Sequence, residues 1–287
     1  MIDQAAGLRR QLLESLDPKQ AKTISVISGK GGVGKSNIAL NFSLELINNQ
    51  KKVLLFDLDI GMGNIDILLG MHAKKTIVDM FNDHLSIHDI IETGPNNLAY
   101  IAGGSGLNDF FTMDEEKRNF FLDQYRELVK MYDYILFDMG AGATKESIFF
   151  ILASDECLVV TTPEPTSITD AYGMVKYILS FEYAMPINVI MNRSYSQKEG
   201  GQSLDRFTQV VERFLHTTIK KMGILPEDKI VSKAVIRQTP YVLLDEKSAV
   251  AKAMKQLTKN YLSNSTELNN IGSVSFVKKL KQLMTER

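Results

Sequence analysis

A short apolar stretch that stops at a glycine-rich turn constrains this 287-residue chain more than any other feature. The β-branched run at 23–28 ends at Gly29, and a helical pattern that includes Ile38 and Phe42 begins directly after Ser36. The segment from Gly29 to Ser36 satisfies G-x-x-x-x-G-K-[ST], a pattern in which backbone N–H groups surround a phosphate. The pattern predicts a strand, a phosphate-binding loop and a helix whose positive end faces the phosphate.

The loop is predicted to bind nucleotide through all eight of its residues. Lys35 would reach the β- and γ-phosphates, and the hydroxyl of Ser36 would hold Mg²⁺. A chance glycine-rich turn is the alternative, but a strand before it and a helix after it disfavour that interpretation. The predicted nucleotide-contacting residues are Gly29, Lys30, Gly31, Gly32, Val33, Gly34, Lys35 and Ser36.

Composition is ordinary for a globular chain, with 44% apolar and 23% charged residues. The formal net charge of −1 gives no global attraction to nucleic acid or membrane, so any such attraction must be local. Cys157 is the only cysteine. A single thiol excludes a disulfide framework and a four-cysteine metal site within the chain, and in its apolar run it is most simply a small core residue.

The start of the chain lacks the basic-then-apolar signature of a signal peptide, and no apolar run approaches the thickness of a bilayer. We therefore expect a cytoplasmic protein.

Short apolar runs alternate with helical patterns along most of the chain. This alternation predicts an α/β fold, a doubly wound and mostly parallel sheet flanked by helices. The polar stretch 196–203 is expected to be a surface loop, and 260–275 is rich in Asn and Ser, as linkers are. The predicted organisation is an N-terminal arm (1–22), a main domain (23–262), a linker (263–272) and a C-terminal helix (273–287).

Acidic residues follow two of the predicted strands. Asp57 and Asp59 come at the end of one strand, and Asp138 comes at the end of another. Ligands bind outside the carboxyl ends of parallel strands, and Mg²⁺ prefers anchored carboxylates and waters. Either carboxylate alone can be a helix N-cap, but beside a phosphate-binding loop both indicate a metal site.

These motifs together resemble a known family. Residues 30–36, with a second lysine before Gly-Gly, are similar to the deviant Walker A motif of the MinD/ParA class of dimerising ATPases. The segments 57–64 and 138–142 resemble switch I and switch II of that class. The resemblance covers about residues 23–262 and implies Mg²⁺ bound near Ser36, Asp57 and Asp138. It implies switch residues at Asp57, Asp59, Gly61, Asn64, Asp138, Gly140 and Gly142.

The resemblance also assigns roles to individual residues. It implies a homodimer that sandwiches two ATP molecules, in which Lys30 contacts phosphate in the opposite subunit while Lys35 serves its own. Asp59 matches the residue that orients the attacking water. The adenine-side positions of the class correspond to Asn192, Arg193 and Pro226, although Asn at a strand end is also an ordinary turn former.

The C-terminal segment has the pattern of an amphipathic helix. Its apolar face is formed by Phe276, Val277, Leu280, Leu283 and Met284, and Lys278, Lys279 and Lys281 flank that face. This pattern is typical of a helix lying on an anionic membrane surface, and it resembles the membrane-targeting tail of MinD. A terminal helix docked on the core is the alternative, and in a monomer the same apolar face can fold back onto the domain.

The N-terminal residues resemble a motif of one branch of this class. Asp3, Gln4, Ala5, Leu8 and Arg9 match the D-Q-A-x-x-L-R motif of the FlhG (YlxH) family of flagellar MinD-like ATPases. In that family the arm activates the GTPase FlhF, and the ATPase regulates flagellar number and placement together with C-ring proteins. The resemblance implies that Gln4 acts at the partner's site, while Arg9 can serve only to anchor the helix.

Three alternatives share parts of this pattern. A ParA-type DNA-partitioning ATPase needs a basic surface that the net charge does not supply, so no nucleic-acid partner is expected. Iron-carrying relatives bridge a cluster with paired cysteines, which a single cysteine makes improbable. A nucleotide-gated assembly scaffold, in which hydrolysis only resets the complex, remains open.

Overall fold

The computed structural model describes residues 20–59, 63–104, 114–142, 147–182, 185–265 and 276–285. Within these residues the chain forms an eight-stranded sheet with the order β3-β4-β2-β5-β1-β6-β7-β8. The strands are β1 (Lys22–Ser28), β2 (Val53–Leu58), β3 (Glu92–Thr93), β4 (Ala99–Ile101), β5 (Tyr134–Ala141), β6 (Glu156–Thr161), β7 (Ile187–Ser194) and β8 (Lys220–Pro226). All neighbours run parallel except β3 and β4.

Helices cover both faces of the sheet. They are α1 (Lys35–Asn48), α2 (Ile65–Leu69), α3 (Ile77–Asn82), α4 (Glu115–Met131), α5 (Ile148–Ala153), α6 (Pro165–Leu179), α7 (Gln197–Leu215), α8 (Lys229–Ile236), α9 (Tyr241–Leu244), α10 (Ala249–Ser265) and α11 (Phe276–Thr285). The segments 87–90 and 95–97 form short 3₁₀ turns. The predicted doubly wound, mostly parallel α/β fold is confirmed.

The central strands are buried on both sides. In β2, Leu54 and Phe56 join a core beneath α4–α7 and α11, whereas Val53 and Leu55 join a second core beneath α1 and α8–α10. Alternate residues therefore point into two different apolar layers, which explains why the strands are continuous apolar runs rather than alternating patterns.

The expected loop at 196–203 is wrong, because α7 runs through it. The Ser196 hydroxyl accepts a hydrogen bond from Glu199 N and caps the helix. Gly200 packs so closely against the sheet that a Cβ there would lie 2.5 Å from Ser194 Oγ. The polar residues form the outer face of this helix, and the glycines that suggested a loop allow close packing.

Other boundaries also differ from the predictions. The helix α10 continues to Ser265, three residues past the expected end of the main domain, and β5 continues past Asp138 to Ala141. The helices α2 and α3 and the antiparallel strand β3 were not anticipated. No described helix is both long enough and apolar enough to span a bilayer.

Candidate nucleotide-binding site

The phosphate-binding loop joins β1 to α1, and its glycines are required by its geometry. Gly32 and Gly34 have φ values of 77° and 91°, which favour glycine. A Cβ on Gly29 would lie 2.2 Å from the backbone of Asp170 in α6. No side chain caps the first turn of α1, so its backbone N–H groups are available to an anionic ligand.

Lys35 lies at the centre of an acidic cluster below this loop. Its Nζ is 2.5 Å from Asp138 Oδ1 and 3.9 Å from Asp59 Oδ2, and it also donates to Ser36 Oγ at 3.5 Å. The side chain of Lys35 is 6% exposed and that of Asp138 is fully buried. The four groups that the sequence placed in one site therefore lie together. The lysine predicted to bind phosphate is therefore paired with carboxylates in this structure.

Asp57 holds the segment that follows β2. Its carboxylate accepts hydrogen bonds from Asp59 N, Asn64 N and Ile65 N at 3.2, 2.8 and 3.1 Å. Asp57 lies directly opposite Asp138 in the register between β2 and β5. Burial, followed by the nearby Asp138 charge, raises the pKa of Asp57 to about 7. The sequence predicted that Asp57 is a metal ligand. The structure shows in addition that Asp57 holds the start of α2 through these hydrogen bonds.

The oxygen groups fit a magnesium ion that is bound mainly through phosphate and water. Asp138 Oδ2 is buried without a hydrogen-bond partner in the described residues, and Asp138 lies opposite Asp57 in the sheet. Lys35 Nζ contacts both Asp138 Oδ1 and Ser36 Oγ. Within the same residues no cluster of three or more His, Cys, Asp or Glu side chains forms a complete metal site. Mg²⁺ normally keeps several waters and takes few protein ligands, so Ser36 and these carboxylates suit it.

Asp59 points toward the same cluster. Burial raises its pKa, the Lys35 charge opposes that shift, and the Asp138 charge adds to it. The carboxylate thus lies 3.9 Å from the Nζ of Lys35, the lysine predicted to bind the terminal phosphates. Gly61, predicted to be in the same switch, lies outside the described residues.

The segment after β5 reaches the phosphate-binding strand. Gly142 adopts a φ of 76°, and its N–H donates to Ser28 O at 2.9 Å. A Cβ on Gly31 would lie 3.9 Å from the Ala141 side chain. Gly140, near the end of β5, and Gly142, just after it, therefore lie next to the loop, as expected of the second switch.

Lys30 does not join the Lys35 cluster. Its Nζ donates to Thr166 Oγ1 at 3.2 Å and lies 3.6 Å from Glu164 Oε2, at the start of α6. Its side chain is 43% exposed. The sequence analysis did not identify Glu164 and Thr166 as partners of Lys30. The sequence signal at this position, Pro165, indicates the start of a helix but not a contact with the phosphate-binding loop. The two lysines of the loop thus point to different places.

The predicted adenine-side residues meet at the neighbouring strand ends. Asn192 Nδ2 donates to Val33 O at 2.8 Å, so β7 supports the phosphate-binding loop directly. Arg193 is exposed, with a φ of 53°. Pro226 is the last residue of β8 and pairs opposite Ser194. The three residues share one edge with the phosphate site.

Comparison with known proteins identifies this arrangement. A family model described as ParA: NUBPL iron-transfer P-loop NTPase matches residues 19–262. The chain belongs to the MinD/ParA family of P-loop ATPases. As a member of this family it is an Mg²⁺-dependent ATP hydrolase. A solved MinD from Pyrococcus horikoshii in complex with Mg-ADP is 25% identical, with a TM-score of 0.69, and the match covers 88% of this chain and 99% of that one.

Flagellar proteins are among the MinD/ParA relatives. The chain is 31% identical to the antiactivator FleN of Pseudomonas aeruginosa over 91% of this chain and 93% of FleN. It is 34% identical to the flagellum site-determining protein YlxH of Helicobacter pylori over 67% of this chain and 64% of YlxH. Although the family model names iron transfer, Cys157 is the only cysteine and is fully buried in β6.

The C-terminal helix of this MinD/ParA protein is docked on the domain. Phe276 is 3% exposed, and its ring centroid lies 4.5 Å from that of Tyr125 and 5.3 Å from that of Phe137. The docked face comprises buried Phe276, Val277 and Leu280 and half-buried Leu283 and Met284. Lys279 Nζ lies 3.3 Å from Asp155 Oδ1, whereas Lys278 and Lys281 are exposed. The apolar face predicted to enter a membrane is occupied by protein here.

The predicted N-terminal arm precedes most of the residues that the structure describes. Asp3, Gln4, Ala5, Leu8 and Arg9 lie outside the described residues. Its predicted activating role therefore stays a prediction.

Proposed function

We propose that this protein is an ATP-driven dimeric switch that regulates flagellar number or placement. In this proposal it recruits itself to the membrane through its C-terminal helix, stimulates the GTPase FlhF through its N-terminal arm and acts on flagellar C-ring proteins. The similarity to FleN and to YlxH supports the flagellar role.

The position of Lys30 carries the dimer proposal. Its Nζ lies beside Glu164 and Thr166, outside the cluster that Lys35 forms within the same subunit. An ion pair as exposed as Lys30–Glu164 contributes roughly 0–1 kcal/mol, so it gives way easily to a phosphate. A lysine from a second copy would then stabilise the charge that develops as the γ-phosphate leaves.

ATP hydrolysis measured against protein concentration tests this composite site. We expect turnover per subunit to rise with concentration in the wild type, because two copies must meet. The Lys30→Ala variant should bind ATP normally but hydrolyse it slowly at every concentration. Lys198→Ala, which removes an exposed lysine from α7, is the matched control. A wild-type rate per subunit that does not depend on concentration would contradict the proposal.

The docked helix α11 supports control of membrane binding by nucleotide. Membrane and core compete for one apolar face, so the helix must leave α4 and α5 before it can bind lipid. A single short amphipathic helix binds membranes marginally, whereas a dimer presents two at high effective concentration. We propose that ATP-driven dimerisation favours the released helix.

Liposome co-sedimentation tests this step. Wild-type protein should pellet with anionic vesicles when ATP is present and remain largely free with ADP. A variant lacking 273–287 should remain free with either nucleotide. Equal pelleting of all three samples would exclude recruitment by the helix.

The arm is tested with full-length protein and purified FlhF. We expect wild-type protein to accelerate GTP hydrolysis by FlhF and Gln4→Ala to abolish the acceleration, because an amide can orient the hydrolytic water. Arg9→Ala should raise the concentration needed without lowering the maximum if Arg9 only anchors the arm. No acceleration by the wild type would remove FlhF as a partner.

A further inference from the structure

The helix α10 carries three lysines in one line along its surface. Lys252, Lys255 and Lys259 are spaced at i, i+3 and i+7, which places them within about 60° of one another around the helix axis. All three are exposed. The sequence from 247 to 266 contains no Asp or Glu, although the chain as a whole has a net charge of −1. We call these three residues the α10 lysine stripe.

The charge of this stripe is not neutralised by its surroundings. None of its lysines takes part in an ion pair among the described residues. The carboxyl group of Glu45 in α1 interacts electrostatically with Lys255 and Lys259, and burial raises its pKa. Glu45 is a single buried group, whereas all three lysines are exposed, so the stripe offers net positive charge to an external anion.

The stripe and the C-terminal helix lie on opposite faces of the sheet, and both helices contact the end at which β6 begins. Tyr261, two residues after Lys259, donates its hydroxyl proton to Glu156 at the start of β6. Asp155, the residue before Glu156, pairs with Lys279 of α11. The ten residues between α10 and α11 span at most about 35 Å when extended. A released α11 can therefore reach a surface that the stripe also faces.

We propose that the α10 lysine stripe is a second membrane contact, which binds the headgroups of anionic lipids beside the inserted C-terminal helix. This inference rests on the proposed membrane recruitment and adds the residues that make this recruitment selective for anionic lipids. Stable membrane association generally needs two signals, and a weak apolar anchor combined with a basic patch is one such pair. The lysine ammonium is a compact point charge that suits diffuse headgroup charge. The stripe has neither the arginine nor the aromatic residues that favour contact with nucleic-acid bases.

The test compares full-length proteins, with ATP and Mg²⁺, on vesicles of phosphatidylcholine alone and on vesicles that also contain phosphatidylserine. The stripe variant combines Lys252→Gln, Lys255→Gln and Lys259→Gln. The control variant combines Lys74→Gln, Lys117→Gln and Lys198→Gln, three exposed lysines outside α10. Both variants change the net charge equally, so only the position of the lost charge differs.

A lysine near an anionic surface favours binding about fivefold. Allowing for screening by salt, we expect the stripe variant to lose at least tenfold in affinity for phosphatidylserine vesicles and to keep its affinity for phosphatidylcholine. The control should change less than threefold. Equal loss in the two variants would overturn the proposal. It would also be overturned if the stripe variant bound both vesicles normally but no longer bound a DNA duplex.

A fourth protein separates this inference from the recruitment on which it rests. Leu280→Ser removes an apolar anchor of α11 and should weaken binding to both vesicle types if that helix inserts. If Leu280→Ser binds as wild type does, recruitment by the helix is wrong. A loss confined to phosphatidylserine in the stripe variant would then still support the lysine contact.

Discussion

Replacing Phe276 with alanine is expected to release the C-terminal helix from its dock. The ring is 3% exposed and packs against Tyr125, Phe137 and Phe150 at centroid distances of 4.5, 5.3 and 6.2 Å. Truncation of a buried phenylalanine to alanine costs about 3–5 kcal/mol. Because α11 is a short terminal helix, we assign this cost to the equilibrium between docked and released helix. The equilibrium constant for release should therefore rise by about two to four orders of magnitude.

Hydrogen exchange of the backbone amides in α11 measures this release. In the nucleotide-free protein, Phe276→Ala should accelerate exchange across 276–285 and leave the central strands protected. Phe214→Ala is the matched control, because Phe214 lies on α7 and is 61% exposed. Membrane binding is not a suitable readout, since the substitution also removes an apolar anchor. Unchanged exchange in α11, combined with a fall in global stability, would show that the helix unfolds only with the whole domain.

Three further substitutions, one of them with a matched control, test the site. Gly29→Ala should abolish ATP binding measured by calorimetry, because the added Cβ would lie 2.2 Å from the backbone of Asp170. Gly173→Ala is the control, since no atom beyond the surrounding helix backbone lies within 4 Å of the Cβ that it adds. This control should bind ATP normally, and its helix α6 should be more stable by about 0.5–1 kcal/mol. The pKa of Asp57 is about 7 in the folded protein, against the ordinary value of 3.8 that we take for the unfolded chain. Between these two pH values the folded state holds a proton on Asp57 that the unfolded state has lost, so the free energy of unfolding falls as the pH rises from about 4 to 7. In urea unfolding Asp57→Asn should remove up to about 4 kcal/mol of that fall, and an unchanged pH slope would contradict the assignment. Glu164→Gln, which frees Lys30, should leave ATP affinity within about threefold of wild type, whereas a large loss would show that Glu164 shapes the nucleotide site.

The parallel strands and the phosphate-binding loop were predictable because their signals are local. The run before Gly29 and the pattern after Ser36 each fix an element without reference to the rest of the chain. Asp57 and Asp138 were placed together because parallel strands end at one edge.

The remaining features depend on contacts between distant segments. Phe276 packs against residues of α4, α5 and β5. In the sequence these residues look like ordinary core positions, so they do not indicate a binding surface for a helix. The partners of Lys30 lie more than 130 residues away. Gly200 and Gly201 suggested a loop because glycine is common in flexible segments. In this structure Gly200 instead allows the helix to pack closely against the sheet.

Light scattering after size-exclusion chromatography tests the central claim, that one ATP site is completed by two copies of the chain. The Asp59→Ala variant should bind ATP but hydrolyse it slowly, which preserves the loaded state during the measurement. We predict a dimer with ATP, a monomer with ADP and a monomer with ATP when Lys30→Ala is added. The same mass with ATP and with ADP would contradict the account.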